Sequence, residues 1–209
     1  MTCVDFYFDC SSPGTYLAFH RLQLLQRELR FEIAWRPIFI GGIFKAVNPG
    51  VFETRATMPD VKAAYFTKDF ADWARFTGIK IHWPQPFHPV NSIKAMRGCV
   101  VAARHGQLVE VARATFEAFW HDGRDISDDA VLADVCAAAG FDRETYFREI
   151  ALPAAREELR RNGDELIARG GFGTPTLFVN GDDMYWGNDR LELVRAAIAR
   201  ANAAGSPAQ

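Results

Sequence analysis

Val4-Asp5-Phe6-Tyr7-Phe8-Asp9-Cys10-Ser11-Ser12-Pro13-Gly14-Thr15-Tyr16 is the stretch that decides the fold. Its first five residues are rich in β-formers and read as a strand of central character that ends at Asp9. From Pro13 the apolar period changes, and Tyr16, Leu17, Leu24, Leu25 and Leu29 fit a helix of about four turns. Beyond it, Phe31-Glu32-Ile33-Ala34-Trp35 alternates as a second strand does. The opening is therefore β-α-β, and a right-handed crossover makes the two strands parallel.

Further out the pattern is helical. Val61, Tyr65, Phe66, Phe70, Trp73 and Ala74 recur at helical spacing over 59–77, and Gly78 stops that helix. A loop with Pro84, Pro86 and Pro89 follows. Asn91 then reads as the N-cap of a helix to about His105. Further helices are expected over 107–121, 128–139 and 153–169, with Ser127 and Asp142 as cap residues. The C-terminal part returns to β structure. Thr176–Val179 is a strand, Asn180-Gly181-Asp182-Asp183 a hairpin turn, and Met184-Tyr185-Trp186 the partner strand. A last helix is expected from about Asn188, and the small, polar tail from Ala203 reads as frayed. With the helical block set aside, β-α-β and β-β-α make an α/β, thioredoxin-like fold with a large all-helical insertion. The expected division is residues 1–44 and 171–209 for the thioredoxin-like domain, and 45–170 for the insertion.

Composition bounds the function. The 209 residues are 49% apolar and 24% charged, with a net charge of −2. That suits a globular core and offers no basic patch for nucleic acid or an anionic membrane surface. No run approaches the ~18 apolar residues of a membrane helix, and the N-terminus lacks the pattern of a secretory signal. Cys3, Cys10, Cys99 and Cys136 form no CxxC pair, and His20, His82, His88, His105 and His121 form no metal-ligand spacing. The expectations are a reduced, cytoplasmic protein without a metal site.

Three short segments hold the candidate chemistry. In a thioredoxin fold the turn after the first strand carries the redox CxxC. Here those four positions read Ser12-Pro13-Gly14-Thr15, and Cys10 lies two residues too early, so disulfide exchange by this turn is excluded. What remains is a hydroxyl at a helix N-terminus, placed to donate to an anion. Ser followed by Pro is equally a common start to a helix. In Gly173-Thr174-Pro175-Thr176 the X-Pro stands at the place of the cis-proline of such folds. A cis bond there offers the backbone of Thr174 to a peptide-like ligand, whereas a trans one would only open an edge strand. In Trp186-Gly187-Asn188-Asp189, the two polar residues either cap the last helix or hold the charged γ-glutamyl end of such a ligand.

DFYFDCSSPGTYLA, PVNSIKAMRG and FGTPTLFVNGDDMYWGNDRL, together with the helical insertion, resemble the 2-hydroxychromene-2-carboxylate isomerases, kin of the kappa-class glutathione transferases within the DsbA group. The resemblance covers nearly the whole chain. It implies an isomerase that uses glutathione as cofactor and an aromatic carboxylate as substrate, and that works as a homodimer. It implies that Ser12 stabilises the glutathione thiolate and Thr174, beside Pro175, pairs with the cysteinyl backbone. Trp186, Gly187, Asn188 and Asp189 would hold the γ-glutamyl end, with Lys62 and Asn48 contributing from the insertion. Lys45, Phe87 and Arg97 would meet the substrate, Lys45 being equally at home as a solvated surface charge. Two positions depart from the family pattern: Cys10 replaces an apolar residue, and Gly14-Thr15 is less bulky than the usual pair, a change expected to widen the mouth of the site.

Overall fold

The structure, a computed structural model, describes residues 1–205. Strand β1 (Cys3–Phe8) leads into helix α1 (Pro13–Leu29) and strand β2 (Glu32–Pro37). Eight helices follow: α2 (Ile40–Val47), α3 (Gly50–Ala56), α4 (Asp60–Thr77), α5 (Ile93–Arg104), α6 (Leu108–Phe116), α7 (Asp129–Ala139), α8 (Arg143–Ile150) and α9 (Pro153–Ala168). A π-helical turn, Glu117–His121, continues α6. The chain closes with β3 (Thr176–Val179), β4 (Asp183–Trp186), a 3-10 turn at Asn188–Arg190 and α10 (Leu191–Gly205). The sheet order is β2-β1-β3-β4. β1 pairs parallel with β2, and β3 is antiparallel to both β1 and β4. This is the expected thioredoxin-like sheet with a helical block inserted after β2.

The alternation of β1 sorts its side chains between two packed layers. Val4, Phe6 and Phe8 join Leu177 and Val179 in the main core, which runs without a break into α1, α5, α6, α7 and α10. Tyr7 and Phe178 point the other way, onto Ile40 and Ile43 of α2 and Leu166 of α9. Because successive strand residues face opposite sides, β1 is buried on both faces, as a central strand must be.

Several expectations shift. The expected boundary after residue 44 falls inside α2, whose buried Ile40 and Ile43 tie it to the sheet. α2, α3 and α8 were not foreseen as helices. Ser92 is the residue preceding α5, where Asn91 was expected; Asn91 instead accepts from the Ile93 amide. Asp128, not Ser127, caps α7, since Ser127 Oγ turns to Asp125. Asp142 does cap, and the helix it caps is α8. The second strand runs to Pro37, past the expected end at Trp35. Asn188 opens a 3-10 turn and α10 proper begins at Leu191. α10 holds the tail in helix to Gly205, and the remainder of the tail lies outside the described residues.

Candidate functional site

The turn after β1 is held from below by Asp9, a residue that sequence reasoning passed over. Its side chain is fully buried. Oδ1 accepts from the Ser11 amide at 2.8 Å. Oδ2 accepts from the Ile40 amide at 2.8 Å and from Ser92 Oγ at 2.9 Å. Its carbonyl takes the Ser12 amide at 3.1 Å. Burial pushes this carboxyl above its ordinary value, and the hydrogen bonds from Ile40, Ser11 and Ser92 work against that rise. One carboxylate thus joins the Ser12 turn, the start of α2 and the start of α5. The available signal was an acidic residue ending an apolar central strand, where a buried carboxylate needs donors from its neighbours.

Ser12 is the N-cap of α1, in extended conformation, with Pro13 as the first helical residue. Its Oγ accepts from the Thr15 amide at 3.2 Å, and its proton makes one long contact, 3.5 Å, to the Thr174 carbonyl. A hydroxyl accepts and donates at once, so capping the helix leaves the Ser12 proton available to a better acceptor. Thr15, at the second redox position, is fully buried. Its hydroxyl meets Thr174 Oγ1 at 3.0 Å, and Thr174 Oγ1 reaches the Tyr7 carbonyl at 3.1 Å. With Thr174 donating to Tyr7, Thr15 must donate to Thr174. The Thr174–Pro175 peptide is cis, as are Trp83–Pro84 and His88–Pro89.

Cys10 is buried with no exposed surface, and burial drives its thiol well above the ordinary value, with Cys99 as its neighbour. A thiol in that state resists becoming a nucleophilic thiolate. The four cysteines are unpaired. Among the described residues no cluster of His, Cys, Asp or Glu suits a metal ion, and no helix is long and apolar enough to cross a membrane.

Ser12 and Thr174 open onto a cleft of about 320 Å³. Asn48 and Trp186 line it with them. Phe39, Ile40, Gly41 and Phe44 at the start and along α2, with Val51 and Phe52 of α3, form an apolar wall opposite. His88, Pro89 and Val90 complete it. His88 is half-buried, its ring 5.6 Å from that of Trp120. Pro175 is buried beneath the turn, its carbonyl accepting from the Gly187 amide at 3.0 Å. Asn188 packs against the first turn of α1 with Nδ2 buried and unpartnered. Asp189 is exposed and paired with Arg190 at 3.4 Å. Gly187 precedes the 3-10 turn, which has no side-chain cap.

The remaining candidates lie elsewhere. Lys62 stands on the exposed face of α4 over Phe66, Lys45 is solvated on α2, and Phe87 is 42% exposed beside His88; none lines the cleft. Arg97 borders a different cavity. Gly14 does not widen the mouth. A side-chain carbon there would stand 3.1 Å from Asn188 Oδ1 and 3.8 Å from Pro175 Cδ, so the glycine lets α1 sit close to the C-terminal segment.

Residues 3–199 match the family model described as a DSBA-like thioredoxin domain. The chain is 32% identical over 198 residues to a 2-hydroxychromene-2-carboxylate isomerase of Pseudomonas sp. (strain C18), covering 95% of this chain and 91% of that protein. It belongs to the DSBA-like family, among the 2-hydroxychromene-2-carboxylate isomerases. The solved structure of a 2-hydroxychromene-2-carboxylate isomerase superposes with a TM-score of 0.82 at 30% identity, covering 98% of this chain and 99% of the other. Human glutathione S-transferase kappa 1 is 27% identical, over 91% of this chain and 88% of its own length. The chain is thus an enzyme of an isomerase and glutathione-transferase-like family.

Proposed function

We propose that this protein is a glutathione-dependent isomerase that interconverts 2-hydroxychromene-2-carboxylate, or a close aromatic analogue, and trans-o-hydroxybenzylidenepyruvate. The observation that carries the reading is the pairing of an under-used Ser12 hydroxyl at a helix N-terminus with the cis Thr174–Pro175 segment at one cleft, where neither redox position holds a thiol. The names of the isomerase relatives support the reaction and those of the kappa-class relatives support glutathione.

The residues present fit the tripeptide. The Asn188 amide is a buried donor lacking an acceptor, at the place proposed for the γ-glutamyl end, with Trp186, Gly187 and Asp189 around it. Thr174 carries backbone groups for the cysteinyl unit, and Asn48 a side-chain amide on the far wall of the cleft. Lys62 is assigned to a glutathione carboxylate by family likeness alone. Bound glutathione supplies a thiol whose reversible addition to a conjugated carbon lets the former double bond rotate. Ser12 donates its proton to the sulfur, and the N-terminal end of α1 adds its positive potential, so both favour the thiolate. The phenyl walls from Phe39, Phe44 and Phe52 bind the aromatic body of the substrate and exclude water. Phe87, Lys45 and Arg97 take no step here. The protein acts in the cytoplasm, where glutathione is reduced, and as a homodimer.

The test is incubation with the chromene carboxylate, with and without glutathione, following isomer by absorbance and free thiol by titration. Isomerisation that needs glutathione and leaves its concentration unchanged is the expected outcome. Net consumption of thiol would favour a conjugating transferase, the second reading that the kappa-class likeness supports. Glutathione binding without turnover of either kind would mark a non-catalytic binding protein.

A further inference from the structure

α2 borders two cavities. Ile40, Gly41 and Phe44 face Ser12, while Gly42, Ile43 and Ala46 line a second cleft of about 250 Å³ whose other walls come from α9 and the start of α5. The second cleft has an apolar floor of Ile43, Leu159 and Ile167 and three cationic side chains, Arg97, Arg156 and Arg160. Arg160 is already neutralised by Glu157 and Asp164. Arg97 and Arg156 have no carboxylate in ion-pair range among the described residues, and Arg97 Nε is buried without a hydrogen-bond partner. A buried guanidinium N–H that finds no acceptor in its own chain is satisfied by an ordered water or by a ligand.

We propose that this cleft is a second ligand site, for a small apolar carboxylate. The body, of single-ring size, lies on Ile43, Leu159 and Ile167, and the carboxylate takes the place of the missing acceptor at Arg97 and Arg156. The chemistry selects the class. The half-buried Arg97, with its Nε unpartnered, and the exposed Arg156 together favour an anion, and their planar forks match a carboxylate. The apolar floor disfavours inorganic phosphate, and a volume below the roughly 300 Å³ of ordinary ligand pockets disfavours fused-ring bodies. α2 stands between this site and Ser12, and Phe39 at its start is the one residue that lines both clefts, so the inference does not rest on the glutathione reading.

The probe is 4-methylbenzoate, with 4-methylbenzamide as its uncharged counterpart, measured by calorimetry or ligand-observed NMR on the full chain. The acid should bind saturably and the amide at least about tenfold more weakly, because only the acid makes charge-assisted bonds. Arg97→Met and Arg156→Met should each weaken the acid about tenfold and leave the amide unchanged. Saturating glutathione should not displace the acid. Equal binding of acid and amide, unchanged affinity in both variants, or competition with glutathione would each overturn the proposal. Acid-induced NMR shifts at Ile43, Leu159 and Ile167 of this cleft, rather than at Val51 and Phe52 of the Ser12 cleft, decide it even if a variant fails to fold, and shifts confined to the Ser12 cleft would overturn it.

Discussion

α4 and α5 are both aromatic-flanked helices of the insertion, and they meet opposite fates. α5 has 12 residues and buries seven of them. α4 has 18 residues and buries none. α5 is entered through Ser92, whose hydroxyl is fastened to Asp9, and Ala95, Met96 and Cys99 follow it into the core. α4 is attached from the side. Arg21 of α1 lies over Trp73 and Phe76 at 5.5 and 5.9 Å, and Phe70 stacks on Trp83 at 4.7 Å, while Val61, Tyr65 and Phe76 stay 81%, 61% and 75% exposed. Helical spacing of apolar residues says that a helix has a face. It does not say that the same chain covers it. The candidate site is built where a buried polar anchor locks a helix down, whereas the apolar face of α4 stays uncovered by the described residues.

The most severe way to break the locked side is Asp9→Ala. It strands the Ser11 and Ile40 amides and the Ser92 hydroxyl together, at about 1–3 kcal/mol for each buried donor left unpaired. We expect a loss of about 3 kcal/mol or more, with glutathione affinity falling too because the Ser12 turn loses its support. A denaturant titration read alongside ligand binding checks both. Asp9→Ala stability within 1 kcal/mol of the parent would show that Asp9 is no anchor.

Next in size is Ser12→Ala, which leaves that anchor in place. Under the proposed function, isomerisation slows by the loss of one hydrogen bond to a charged group, roughly 1.5–3 kcal/mol or one to two powers of ten. Helix capping is worth about 1 kcal/mol of stability in addition. The thiolate absorbance of bound glutathione, titrated with pH, should shift upward in the variant. Superimposable titrations would leave Ser12 as a cap and nothing more.

The junction of the two regimes is His20, on α1 beneath the end of α4. Burial, with Arg113 adding to it, lowers its ring to about 4 from an ordinary 6.5. Below about 6.5 the unfolded chain takes up a proton that the folded chain refuses until about 4, so stability falls as the pH drops through that window. Allowing for the solvent that still reaches the ring, the loss is about 2 kcal/mol. His20→Phe, which suits the neighbouring Tyr16 and Phe19 rings, should flatten this part of the stability–pH curve. An unchanged slope would mean that the ring is not held neutral.

The smallest expected effect on stability sharpens the loose side. Val61→Glu with Tyr65→Glu places charge on the open face of α4. Monomer stability should stay within about 0.5 kcal/mol, as for exposed positions generally. If α4 forms the proposed dimer interface, sedimentation should show dissociation at equal stability. An undisturbed dimer would move the interface elsewhere on the surface.

The strands and α1 were legible because their cues are local: the alternation of β1, the Ser12-Pro13 start, the Asn180-Gly181 turn. Ser12 and Thr174 were legible for the same reason, each sitting in a short motif with its own chemistry. α2 was not, because Gly41 and Gly42 weaken helix propensity. The structure shows why one of them is there: a side chain at Gly41 would collide with the Phe39 ring at 2.6 Å. Asp9 was missed because its donors come from residues 11, 40 and 92, and nothing in the sequence shows that these meet. Arg97 reads as a charged residue near a site loop; its separation from Ser12 depends on which side of α2 it falls.

The pairing of β1 with β3 has a consequence in time. Val4 waits for Val179, and Phe6 for Leu177. At ~5–20 residues per second, synthesis leaves one edge of the central strand open for roughly 10 s or longer. During that interval β2 can dress one side only, and a phenylalanine-rich strand with free amides on the other is a template for pairing with a neighbouring chain. The hazard of the β1 edge therefore belongs to synthesis, and it vanishes once β3 is in place.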